Sequence, residues 1–215
     1  MVIAIDGPAG SGKSTIAKLL AQKLTEKKGG EFTYINSGNL YRAITLGCLR
    51  EKIDISDSEK IIEYAKNVKI EYHKTDVFLD GKNVTDLLHN DEIDRFSAPL
   101  SAIVPVRHIV NDLVRSLSLG QNIVVEGRDM TTVVFPNAER RYYLDASADC
   151  RAKRRHDQGV SNLSLEEIKK AIIERDEIDK NKTEGSLKIS HGVQYLDTSD
   201  LTIIQVYEKL IEGID

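Results

Sequence analysis

Tryptophan is absent from this 215-residue chain, and aromatic residues make up only 6% of it, too few for a stacking surface that would grip single-stranded nucleic acid. An excess of positive charge is also missing. Thirty Lys and Arg face 34 Asp and Glu for a formal net charge of −4, where a polymer-binding protein usually carries a basic surplus. Any anion bound here is therefore expected to be small and held by local charge. Cysteine is scarce. Cys48 and Cys150 are far apart and lack His or Cys neighbours at metal spacing, so they read as free thiols of a reducing compartment. Long apolar runs are missing too. The opening run spans only Val2 to Ile5, short for a secretory signal, and nothing approaches the ~20 residues of a membrane span. The expectation is a cytoplasmic monomer with no membrane and no nucleic-acid polymer as partner.

What is present is an ordinary globular composition, 40% apolar and 30% charged, long enough for one α/β domain with a small insertion. Val2–Ile5 reads as a buried parallel strand. Ile16, Leu19, Leu20 and Leu24 recur at helical spacing, which predicts a helix over 13–28 that Gly29 and Gly30 close. Further strands are expected at 32–35, 123–125, 142–144 and 193–196. Further helices are expected at 40–49, 104–119, 150–156 and 201–211, together with one opened by the Ser164/Glu167 capping box and running to about Lys180. The alternation predicts a parallel sheet with helices on both faces. It is interrupted at about 67–90 by short strand-like runs at 68–72, 77–79 and around Val84, with an Asp80-Gly81 turn signal between the last two.

Residues 7 to 14 read GPAGSGKS, which fits the phosphate-binding pattern G-x-x-x-x-G-K-[ST] between a strand and a helix. Such a loop must curl around a phosphate with its N–H groups inward, and glycines clear the side chains that would block this. The following helix adds the partial positive charge of its N-terminus. Lys13 is expected to reach the terminal phosphates of a nucleoside triphosphate and Ser14 to ligate Mg²⁺. The motif alone leaves a kinase, a nucleotide switch and a mechanical ATPase open. Asn181-Lys182-Thr183-Glu184 is a poor guanine-reading motif, because it ends in Glu and follows a polar helical segment. Glu126, after the apolar strand 123–125, suits either a magnesium-bound water or a hydrolytic water.

Arginines at strand ends carry the argument further. A kinase whose acceptor is itself an anion must overcome its repulsion by ATP, and guanidinium groups clamp phosphate oxygens in pairs. Arg42 in NSGNLYR and Arg128 in EGRD follow strand ends, where ligands sit in open parallel sheets. Arg151, Arg154 and Arg155 crowd one stretch that reads as a lid closing over the phosphates. Lys13, Arg128, Arg154 and Arg155 are the expected catalytic residues.

These segments, nearly end to end, resemble the bacterial cytidylate kinases among the P-loop nucleoside monophosphate kinases. The resemblance rests on IDGPAGSGKST (5–15), NSGNLYRA (36–43), GRDMTTVVFPNA (127–138), RYYLDAS (141–147), RAKRR (151–155) and RDEIDKNK (175–182). It implies a single kinase domain over 1–215, an α/β three-layer sandwich on a parallel sheet. A β-rich insertion at 67–90 would sit in a monophosphate-binding lobe reaching about residue 100, and the lid would cover 149–163. It implies transfer of the ATP γ-phosphoryl group to CMP or dCMP with Mg²⁺. ATP would be held by Gly7, Pro8, Ala9, Gly10, Ser11, Gly12, Lys13, Ser14, Thr15 and Arg154. Asp129 and Arg107 would read the cytosine edge. Arg175 and Asp179 would hold the ribose, and Ser37, Arg42 and Arg128 the acceptor phosphate. The chain departs from the family pattern at Asn36, Glu126 and Lys182, where Asp, Asp and Arg are expected, and at Ala98, where a serine is expected; Lys182 keeps the charge of the acceptor site but not the fork.

Overall fold

The computed structural model describes residues 1–73, 75–159 and 161–214. Lys74, inside the expected insertion, Val160, inside the expected lid, and Asp215 lie outside the described residues.

Five strands make one parallel sheet in the order β2-β6-β1-β7-β8. They are β1 (Val2–Asp6), β2 (Phe32–Asn36), β6 (Asn122–Gly127), β7 (Arg140–Asp145) and β8 (Gln194–Asp197). Buried side chains alternate between the two faces. Ile3, Ile5, Tyr34 and Val124 enter one apolar cluster with residues of α1 (Lys13–Lys28) and α8 (Ile203–Ile211). Ala4, Ile35, Ile123 and Val125 enter the other with α2 (Ser37–Arg50), α3 (Ser58–Asn67) and α5 (Val104–Leu117). A sheet buried on both faces needs near-continuous apolar strands, which is what the short runs supplied. The three-layer architecture follows.

A three-stranded antiparallel sheet interrupts this pattern: β3 (Ile70–His73), β4 (Asp76–Leu79) and β5 (Lys82–Asn83). Asp80 and Gly81 both take positive φ, 49° and 76°, in the two-residue hairpin between β4 and β5. The third expected strand, around Val84, is displaced. β5 ends one residue earlier, and Val84 starts a short 3₁₀ turn (Thr85–Leu87) while its amide donates to the Val77 carbonyl. Val77, Leu79, Val84 and Leu88 make a separate small core against Ala43 of α2.

Two helices lack a counterpart among the expected elements. In α3 the Asp57 side chain caps the helix by accepting from the Lys60 amide, and Ile61 and Ala65 face inward. In α4 (Asp91–Leu100) the Asn90 side chain caps through the Ile93 amide, but Pro99 in the last turn masks the helical pattern. Helix α2 begins three residues before its expected start, because the Asn36 side chain accepts from the Asn39 amide and so makes Ser37 its first residue. The remaining helices, α6 (Ala148–Asp157) and α7 (Leu165–Lys180), lie side by side after β7. The capping box on α7 forms as expected from Ser164 and Glu167. Among the described residues no helix is long and apolar enough to cross a membrane.

Candidate active site

The loop between β1 and α1 is built for close approach. Gly7 has φ of 151°, and a Cβ there would lie 1.9 Å from the Leu144 carbonyl oxygen. Gly10 and Gly12 take φ of 79° and 88°, and no side chain caps α1, whose first N–H groups are left for an anion. Lys13 is buried and donates to the Pro8 carbonyl at 2.6 Å, with the Ser11 hydroxyl at 3.4 Å. Burial, with Arg128 nearby, pushes its ammonium down to about 7, against the pull of Glu126, Asp6 and Asp179. Thr15 is exposed on the first turn of α1.

Ser14 Oγ donates to Glu126 Oε1 at 2.5 Å, and the Tyr34 hydroxyl donates to the same oxygen at 3.0 Å. A hydroxyl and a buried carboxylate at the mouth of a phosphate loop are hard oxygen donors of the kind Mg²⁺ takes. Mg²⁺ keeps several waters and substrate phosphates and needs only one or two protein groups. The residues present fit that ion. Among the described residues no cluster of three or more His, Cys, Asp or Glu could hold a metal instead.

Across from the loop the sequence-predicted arginines converge on a few carboxylates. Asp179, fully buried, accepts from Arg128 Nε at 2.7 Å and from Lys182 Nζ at 2.6 Å, with Arg175 Nε at 3.5 Å. Burial would raise this carboxyl, but Arg128, Arg175 and Lys182 outweigh it and hold it far below the ordinary range. Burial pushes Lys182 down to about 8, less Asp179's opposing pull. Lys182 also donates to the Ser101 hydroxyl at 2.8 Å, so the lysine that stands where the family has arginine stays in the network. Arg107 and Asp129 form a direct ion pair, both buried, and Arg107 also donates to the Ser101 carbonyl at 2.9 Å. Gly185 crosses this pair so closely that a Cβ there would lie 1.9 Å from Arg107 Nη2. Ser37 Oγ donates to the Glu126 carbonyl at 2.9 Å, next to the Gly127-Arg128 turn. Ala98, where the family pattern has serine, is buried, and its carbonyl accepts from the Ser101 hydroxyl at 2.7 Å.

The basic cluster on α6 divides three ways. Arg151 turns inward: it is buried, pairs with Asp176 of α7 at 2.7 Å, and donates to the Ala9 carbonyl of the phosphate loop at 3.1 Å. Arg154 donates to Thr198 Oγ1 at 3.0 Å, and its Nη1 lies 3.8 Å from where a Cβ on Gly12 would be. Arg155 reaches Asp94 of α4 at 2.5 Å, and the other carboxylate oxygen of Asp94 accepts from Arg42 Nε at 2.9 Å. Asp94 and Asp6 escaped the sequence reading, and Arg151, read there as part of a lid cluster, instead turns inward as a brace. Asp6 Oδ1 and Oδ2 accept from the Met130 and Thr131 amides at 2.8 and 2.7 Å and from the Thr131 hydroxyl at 2.7 Å. It thereby fixes the π-helical turn Met130–Val134 that follows Arg128 and Asp129.

Beside the glycine-rich loop lie arginines braced by buried carboxylates, and a family model described as cytidylate kinase matches residues 3–215. The chain belongs to the cytidylate kinase family. A cytidylate kinase of Caldanaerobacter subterraneus subsp. tengcongensis is 40% identical over 99% of this chain and 93% of its own length. One from Borrelia turicatae is 44% identical over 93% of this chain and 89% of its own. A gluconokinase structure from Sinorhizobium meliloti aligns with a TM-score of 0.50 at 12% identity, covering 99% of this chain and 90% of that one, a likeness of fold alone. Family membership places the chain among ATP-dependent nucleoside monophosphate kinases, phosphotransferases of pyrimidine nucleotide metabolism.

Proposed function

We propose that this protein transfers the γ-phosphoryl group of ATP to CMP, and to dCMP, giving ADP and CDP or dCDP. The observation that carries the reading is the buried Arg107–Asp129 pair beside the Arg128–Asp179–Lys182 network, opposite the phosphate loop. The carboxylate of Asp129 accepts from the exocyclic amino group of cytosine, and Arg107 donates to its ring nitrogen and carbonyl. Uracil would set a carbonyl oxygen against an Asp129 oxygen, acceptor against acceptor, with no donor between them. Arg175 and Asp179 hold the ribose, with Lys182 steadying Asp179. Ser37, Arg42 and Arg128 hold the acceptor phosphate.

On the donor side the amides from Gly7 to Thr15 and the N-terminus of α1 cradle the phosphates, with Pro8, Ala9, Gly10, Ser11 and Gly12 shaping the turn. Lys13 exchanges the Pro8 carbonyl for β- and γ-phosphate oxygens. Ser14 and, through water, Glu126 would hold Mg²⁺, which neutralises charge on those oxygens when bound with ATP. Arg128, Arg154 and Arg155 gather on the transferring group, so the transition state meets more positive charge than the ground state does. The segment 149–163 acts as the lid, and 67–90 as the insertion of a monophosphate-binding lobe that runs to about residue 100. The free thiols of Cys48 and Cys150 suit the cytoplasm.

Coupled ADP release with MgATP against CMP, dCMP, UMP, AMP and dTMP tests the reading. CMP and dCMP are expected to exceed UMP in kcat/KM by up to about 10⁴-fold. ADP release that no monophosphate stimulates would remove the kinase assignment.

A further inference from the structure

Asp94 occupies an unusual place among the arginines. Its two carboxylate oxygens are taken by guanidinium groups from different elements, Arg42 of α2 at 2.9 Å and Arg155 of α6 at 2.5 Å. A third arginine, Arg175 of α7, leans on the Asp94 backbone carbonyl and on the Ser97 hydroxyl, both at 3.3 Å, the long end of hydrogen bonding. Its buried Nε makes no hydrogen bond. One monoanion thus engages two arginines, while the third, Arg175, meets only the Asp94 backbone and has Asp179 as its ion-pair partner at 3.5 Å. Burial raises the Asp94 carboxyl, but Arg42 and Arg155 more than offset this, and it stays ionised below its ordinary value. Helix α4 does not need the Asp94 side chain, since the Asn90 side chain caps it.

We propose that Asp94 is a placeholder for the acceptor phosphate: it holds Arg42 and Arg155 in the free enzyme and is displaced when a nucleoside monophosphate arrives. The proposal rests on the acceptor reading above. A phosphate monoester offers three oxygens and nearly two negative charges where Asp94 offers two oxygens and one, so the dianion wins the two arginines and offers Arg175 a closer anion than Asp179 at 3.5 Å. The exchange frees Arg155 from α4 to turn with the lid towards the transferring group. Until then Asp94 keeps the lid arginine engaged away from ATP. An acceptor without a phosphate cannot make the exchange, and the placeholder therefore sharpens the preference for monophosphates over nucleosides.

A scaffold that merely aligned the arginines would have the opposite signature on removal, which makes the sign of the effect decisive. The test compares wild type with Asp94→Asn and Asp94→Ser, reading the KM for CMP in turnover and the Kd of inorganic phosphate by calorimetry. Loss of a competing, partly exposed carboxylate is expected to lower both constants by about three- to tenfold. Cytidine, added as a competitive inhibitor, should bind all three proteins equally. Constants that rise or do not move in the folded variants would overturn the proposal, and so would failure of both variants to fold, since the carboxylate would then be a structural strut. Wild type that does not phosphorylate CMP would remove the acceptor reading instead, and the phosphate titration would still decide on Asp94.

Discussion

At the scale of single residues, burial sets the chemistry. Asp6 is fully buried, and burial raises its carboxyl to about 6 even though the Thr131 hydroxyl and the Thr131 and Met130 amides pull it down. A carboxyl raised in the folded state holds its proton there longer than in the unfolded chain, where it titrates near about 4. Its contribution to stability is therefore full below about pH 4 and is lost as pH rises through about 6. Asp6→Asn should flatten that part of the stability curve. It should also cost about 1–3 kcal/mol at neutral pH, because an amide oxygen replaces two acceptors and the amide NH₂ meets a donor. Urea unfolding of both proteins between pH 4 and 7 reads the two effects separately, and an unchanged slope in the variant would deny Asp6 its role. The glycine-rich loop, Arg42, Arg107, Arg128 and Asp129 were singled out in the sequence by motif spacing or family resemblance, and the three arginines each meet an aspartate in the fold. Asp6 and Asp94 were not singled out, and Arg151 was read as a lid arginine and not as a buried brace, because a carboxylate or an arginine in a helical or strand-end stretch looks the same whether its partner is water or a residue over a hundred positions away. Asp6 and Thr131, 125 residues apart, make that point.

Among the elements, the strands and most helices could be read from periodicity, since a two-sided core demands apolar strands and inward-facing helix stripes. Helix α3 was missed although Asp57 and the Ile61/Ala65 pair signalled it, and α4 because Pro99 suggested a break. That second omission hid Asp94, the residue that joins α4 to α2 and α6. Helix α6 is tied to the phosphate loop by Arg151, whose guanidinium spans Asp176, the Ala146 carbonyl and the Ala9 carbonyl. Removing one partner of a buried pair leaves the other charge uncompensated. Arg151→Met is expected to destabilise the protein by about 3–5 kcal/mol in denaturant unfolding and to raise the KM for ATP, because the loop loses its brace. A loss below about 1 kcal/mol would mean that water or a neighbour replaces the guanidinium, and that α6 does not position the loop.

For the molecule as a whole, a net charge of −4 coexists with a set of ion pairs in which Arg42, Arg107, Arg128, Arg155, Arg175 and Lys182 outnumber Asp94, Asp129 and Asp179, a local excess of positive charge. The parallel sheet brings the loop after β1 and the turn after β6 to the same edge, since β1 and β6 are neighbours in register from Val2↔Ile123 to Asp6↔Gly127. The glycine-rich loop and the turn at 127–129, from opposite halves of the chain, therefore meet; on the proposed reading they carry donor and acceptor, whose alignment is the main contribution a kinase makes to its reaction. Base choice is the sharpest claim in this account, and it rests on one pair of side chains. The most direct test is the ratio of kcat/KM for CMP over UMP in wild type and in Asp129→Asn. The ratio should fall by at least about 100-fold in the variant, since asparagine can donate to the uracil carbonyl, while the KM for ATP holds. A variant that keeps the wild-type preference would show that Asp129 does not read the base.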